Sequence, residues 1–160
     1  MTEDNWYDDE HTGMIEAHAH FELSGEAFDP DEVTSRLGIT PTMILRAGDQ
    51  RTAPNGRLLG GEYEYSKWMI ETDGLLDSTS LARHLRLLLD MLEPRAEALA
   101  GVMRDLGCRS EFMCYFVANT DQLKMYQGPG FSSSLLGRIA QLGADLTFDF
   151  ATCSSDEDTA

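Results

Sequence analysis

The chain has 160 residues, 42% hydrophobic and 25% charged, ordinary values for one globular domain large enough to bury roughly 70% of its unfolded surface without disulfide or metal. Twenty-eight acidic against 12 basic residues leave a net charge of −16; this field repels nucleic-acid phosphates and anionic lipid, which need clustered Lys and Arg, and attracts a basic protein. The apolar runs are too short to span a bilayer, and the acidic start "MTEDNWYDDEHTG" is unlike a secretory signal, so neither membrane nor nucleic acid is an expected partner.

Residues 1–12 read as an acidic, disordered tail. In "EAHAHFEL" the even positions are Glu16, His18, His20 and Glu22 and the odd positions are Ala17, Ala19, Phe21 and Leu23. This strict two-residue period predicts a half-buried strand over Met14 to Ser24. In "DPDEVTSRLG" Asp29 is a natural N-cap, Pro30 suits the first helical position and Gly38 a stop, so a short helix follows. A second strand is expected around Thr42 to Arg46, then a loop in "TAPNGRLLGG", then a third strand from Tyr63 to Thr72, rich in aromatic and β-favouring residues.

Leu81, Leu85, Leu88, Leu89 and Leu92 recur at helical spacing; Pro94 predicts a break near Glu93, after which Leu99, Val102 and Leu106 resume the stripe up to Gly107. "SEFMCYFVAN" (Ser110 to Asn119) is apolar on both parities and predicts a central strand covered on both faces or nearly so. Ser132 or Ser133 caps a helix carrying Leu135, Leu136, Ile139 and Leu142, and "ADLTFDF" alternates once more, with Leu146, Phe148 and Phe150 inward. Residues 152–160 read as a second acidic tail, bounding a single α+β domain over 13–151. The order β-α-β-β-α-β-α-β predicts a ferredoxin-like split βαβ arrangement with an appended helix and strand: an antiparallel sheet with helices on one face.

The ordered stretches "FELSGEAFDPDEVTSRLGITPT", "RAGDQR", "SKWMIET", "LEPRAEAL" and "LLGRIAQLGADLTFDF" together resemble a bacterial family, domain-of-unknown-function family 4279, over roughly Ile15 to Phe150. The resemblance implies a compact α+β domain standing alone as a small cytoplasmic protein. It implies no activity and transfers no site residue.

Two constellations stand out chemically. His18 and His20 share one strand face about 6.5 to 7 Å apart, a spacing at which two imidazoles can meet one metal ion. A third ligand is not positioned by the sequence, and a polar row opposite an apolar one is what a solvated face requires. The reading is therefore a wet face, with no metal and no cofactor. Arg46, Asp49 and Arg51 surround a glycine turn, and Trp68 lies on the next strand. An arginine fork beside a carboxylate and an aromatic ring suits a small anion or a peptide, whereas turn amides held by Asp49, a surface ion pair at Arg46 and a core Trp68 explain the same residues.

No G-x-S-x-G, H-E-x-x-H or phosphate-binding glycine loop occurs. Cys108, Cys114 and Cys153 form no C-x-x-C pair, which predicts free thiols in a reducing cytoplasm. The expected function is a non-catalytic binding module, in one form an acidic immunity-type inhibitor of a basic protein. The competing expectation is a small-ligand or enzymatic domain using the Arg46–Asp49 turn and Trp68. Self-repulsion favours a monomer or a weak homodimer.

Overall fold

In the computed structural model, which describes residues 13–122 and 128–154, the alternating segment forms β1 (Met14–Gly25). It is followed by α1 (Pro30–Leu37), β2 (Met43–Leu45), β3 (Gln50–Thr52), β4 (Leu58–Glu62) and β5 (Ser66–Glu71). The chain continues as α2 (Leu81–Leu92), a 3₁₀ turn (Glu93–Arg95), α3 (Ala96–Leu106), β6 (Arg109–Asn119), α4 (Ser133–Gln141) and β7 (Asp145–Cys153). The expected tail over 1–12, and residues 155–160 of the one expected over 152–160, lie outside the described residues. The described helices include none long and apolar enough to cross a membrane.

The local signals act as elementary chemistry dictates. The Asp29 side chain accepts from the Asp31 amide at 3.0 Å, and Gly38 closes α1 at φ 63°, a left-handed conformation glycine reaches at little steric cost. Pro94 turns the long leucine-rich stretch into two helices joined by one 3₁₀ turn, because its ring removes a donor and clashes with the preceding turn. The Ser132 hydroxyl accepts from the Leu135 amide at 3.1 Å and opens α4.

Five strands form one sheet in the order β2-β5-β1-β6-β7, an α+β architecture. Neighbours are antiparallel except β6 and β7, which run parallel. The wholly antiparallel sheet expected from the sequence is thus corrected to a mixed one. The chain leaves β6, makes one helix and returns on the same side, and such a helical crossover lays the next strand parallel. Two other expectations change. "TAPNGRLLGG", read from the sequence as a loop, holds the turn and most of β4 of an exposed hairpin, β3–β4; its Asn55-Gly56 step is a hairpin signal. β7 continues to Cys153, beyond the expected domain end, because Asn119 on β6 still pairs with it there.

The core lies on one face of the sheet. Ala17, Ala19, Phe21 and Leu23 meet Phe112, Cys114 and Phe116 of β6 and Trp68 and Ile70 of β5, and all four helices add leucines, valines or isoleucine to the same cluster. The Phe21 and Phe112 rings lie 4.9 Å apart. The two faces of β6 are covered unequally: Phe112, Cys114, Phe116 and Ala118 are buried, whereas Glu111, Met113, Tyr115 and Val117 are only partly so. Helices pack on one side, so the second apolar row of β6 faces outward.

Candidate functional site

The outward face carries the chemistry. Parity places Glu16, His18, His20, Glu22 and Ser24 of β1 there. The register adds Lys67, Met69 and Glu71 from β5, Arg109, Glu111, Met113 and Tyr115 from β6, and Asp145, Thr147 and Asp149 from β7. Among the described residues of this face, the carboxylates of Glu16, Glu22, Glu71, Glu111, Asp145 and Asp149 outnumber the cations of Lys67 and Arg109. The protein's negative field therefore has a local concentration on a face that, among the described residues, no helix covers.

Its centre is ordered. Glu22 is only 8% exposed; its Oε2 lies 2.6 Å from Lys67 Nζ and 3.3 Å from His20 Nε2. Burial pushes the Glu22 carboxyl up, and the hydrogen bonds from His20 and Lys67 more than offset it, holding it below the usual carboxylate range. The His18 ring stacks on Tyr115 with centroids 4.7 Å apart. Its two nitrogens lie 3.7 Å from Glu16 and 3.7 Å from Glu71. The two histidines thus turn to different carboxylates. Among the described residues, no three His, Cys, Asp or Glu side chains are grouped as a metal would need. Thr147 donates to Glu111 at 2.9 Å, joining β7 to the same polar layer.

At one end this face deepens into a cleft of about 930 Å³ between the β1–α1 turn, the start of β5 and the α3–β6 turn. Lys67, Arg109, Tyr65, Glu26 and Glu64 line it, with Ser24 at its floor. Arg109 Nε donates to Ser24 Oγ at 3.3 Å, and the Lys67 ammonium stands 6.0 Å from the Tyr65 ring centre.

The residues singled out around the glycine turn lie elsewhere. Arg46 reaches back to Asp31 on α1 at 2.7 Å. The Asp49 amide donates to the Arg46 carbonyl, and the Asp49 carbonyl accepts from Tyr63, closing the hairpin base. Arg51 is exposed on β3. Trp68 has no exposed surface and points into the helix layer, its indole N–H donating to Thr34 Oγ1 at 3.0 Å. The hairpin base and Trp68 therefore do not share a surface. Sequence reasoning missed Lys67, Met69, Glu71, Met113 and Tyr115. The parity of β6, read from Phe112 inward, held the signal for Tyr115 and Met113; the partners on β5 needed the register.

Cys108 and Cys114 are buried and free. Burial raises both thiols, that of Cys114 to about 12, so neither supplies a thiolate nucleophile at neutral pH.

A family model described as a domain of unknown function (DUF4279) matches residues 15–152. No curated protein matches, and no solved structure matches.

Proposed function

The chain belongs to the DUF4279 family of domains of unknown function, and from that premise we propose a non-catalytic binding module that docks a basic protein on the outward face of its sheet. The observation that carries this reading is the acidic row on a face that, among the described residues, no helix covers, interleaved with Met69, Met113 and Tyr115. Carboxylates steer a basic partner, and the half-buried Met113 and Tyr115 offer it contact area once it arrives, with Met69 buried beneath them. In its concrete form the module is a cytoplasmic, immunity-type inhibitor that masks a basic toxin or nuclease. Three free thiols support a reducing compartment. A ferredoxin-like ancestry for the core is supported by β6, β1, β5 and β2 lying side by side, each antiparallel to its neighbour, with β7 added outside β6.

The test is affinity for a purified basic protein that co-isolates with the chain, titrated between 50 and 500 mM salt. Binding should weaken at least tenfold with salt, and again in a Glu16→Lys/Glu71→Lys double variant. Salt-independent binding that survives both reversals would overturn the reading.

A second reading, a small-ligand or enzymatic domain, rests on the cleft rather than on the Arg46–Asp49 turn, since its volume falls in the range of ligand pockets. Arg109→Ala would abolish binding of a small acidic ligand under that reading and leave docking of a basic protein unchanged or stronger.

A further inference from the structure

β7 is the outer strand of the sheet, hydrogen-bonded to β6 on one side; among the described residues no strand lies on its other side. The opposite edge, β2, is three residues long, whereas β7 runs for nine and pairs with β6 without a register shift. Natural edges are blunted by shortness, proline, bulges, charged side chains (lysine above all) or a covering element, because an unpaired row of N–H and C=O groups is a template for another chain; the charges on β7 are Asp145 and Asp149, which deter an acidic strand but not a basic one. β7 has no proline, no lysine and no bulge.

Its side chains also alternate in kind. Asp145, Thr147 and Asp149 stand on the outward face beside Glu111, Met113 and Tyr115. Phe148 and Phe150 stand on the helix side and are 46% and 63% exposed. Phe148 stacks on Phe131 at 5.9 Å and Phe150 on Phe116 at 5.6 Å, leaving an aromatic ledge beside the open edge.

We propose that β7 accepts an extended segment of the basic partner as a sixth strand, whose side chains alternate between apolar groups over Phe148 and Phe150 and Lys or Arg beside Asp145 and Asp149. This rests on the basic-partner reading above and adds how the partner is held. Strand addition draws affinity from main-chain hydrogen bonds and specificity from the alternate side chains, and cross-strand neighbours about 4.5–5.5 Å apart put opposite charges in reach. A second copy of the chain fits less well. Antiparallel pairing of two β7 strands in one continuous sheet sets acidic row against acidic row, between molecules that each carry −16.

Three synthetic eight-residue peptides of equal charge test this at 50 mM salt: alternating Lys and Val, the same residues with the lysines in one block, and the alternating peptide N-methylated at every amide. The alternating peptide should bind at least tenfold more tightly than either control. An Asp145→Lys/Asp149→Lys variant should lose at least tenfold for it, and Phe150→Ala several-fold. The peptide comparison leaves the protein unaltered, so it does not depend on any variant folding. Equal affinity for all three peptides, lost on Glu16→Lys/Glu71→Lys, would overturn strand addition while keeping the acidic-face docking. Failure of every peptide to bind would overturn both.

Discussion

His84 is fully buried, where α2 begins beside the end of β5. Its Nε2 lies 2.8 Å from the Ser78 carbonyl and its Nδ1 2.7 Å from the Thr72 hydroxyl. A carbonyl only accepts, so Nε2 carries the proton; burial, which favours the neutral ring, leaves Nδ1 as an acceptor, so the one Thr72 hydroxyl hydrogen goes to Nδ1 rather than to the Ala19 carbonyl 3.0 Å away. The Thr72 oxygen in turn accepts from the Ala19 amide, tying the start of α2 to β1. Burial lowers the His84 pKa against the opposing pull of the Ser78 carbonyl. A folded value below the unfolded one, about 6.5, means the unfolded chain takes up the proton first. His84 thus contributes full stability above about pH 6.5, and that contribution falls as pH drops below it. The urea midpoint should decline from pH 7 to pH 5, and His84→Gln should flatten that segment; an unchanged slope in the variant would remove His84 as its cause. Glu22 has the same sign in a lower window, its contribution being lost as pH falls below about 4.3. Lys67→Met should raise the Glu22 pKa in an NMR titration and destabilise by about 1–3 kcal/mol, since it removes a charged hydrogen-bond partner from a largely buried carboxylate.

At the scale of elements, α1 is eight residues long, too short to persist without caps and packing. Asp29→Ala should destabilise by about 1 kcal/mol through the lost cap bond. Two glycines separate backbone conformation from space. A Cβ added at Gly38 or at Gly60 meets nothing within 4 Å, but only Gly38 has a left-handed φ. Gly38→Ala should therefore cost about 1–2 kcal/mol from strain alone. Gly60→Ala, inside β4, should be neutral or stabilise by about 0.5 kcal/mol, because alanine loses less chain entropy there. Urea denaturation of both variants checks the pair; equal effects would mean that φ is not what Gly38 supplies. α4 is held to α2 and its 3₁₀ extension by Arg138, which reaches Asp90 and Glu93 at 2.7–2.8 Å. These contacts lower the Glu93 pKa, and α4 in turn decides that β7 lies parallel to β6.

For the molecule as a whole, net charge sets the response to salt. Like charges raise the energy of the compact state, and salt screens them beyond a Debye length of about 10 Å at 0.1 M. The melting temperature should rise between 20 and 500 mM sodium chloride. A fall would mean that exposed pairs such as Arg36–Asp105 outweigh the summed repulsion. The same charge gives the partner reading its sign, with stability rising and affinity falling over one salt series.

What the sequence determined by itself was local. The strand of β1, the cap and stop of α1, the proline break and the Ser132 cap each depend on neighbours within a few residues, and each appears in the structure; the half-buried period of β1 does not hold beyond Ala19, because His20, Glu22 and Ser24 are buried as well. The family resemblance was legible because it follows residue order alone. Tertiary structure decided which strand lies beside which. Apolar residues on both parities of β6 were compatible with burial on either face, and only the packing of the described helices on one side left Met113 and Tyr115 outward beside His18 and His20. The direction and edge position of β7 were likewise invisible in "ADLTFDF", since strand pairing is a contact between segments remote in sequence. Trp68 reads as binding residue or core residue from its neighbours alone; the register opposite Leu23 puts it among the leucines.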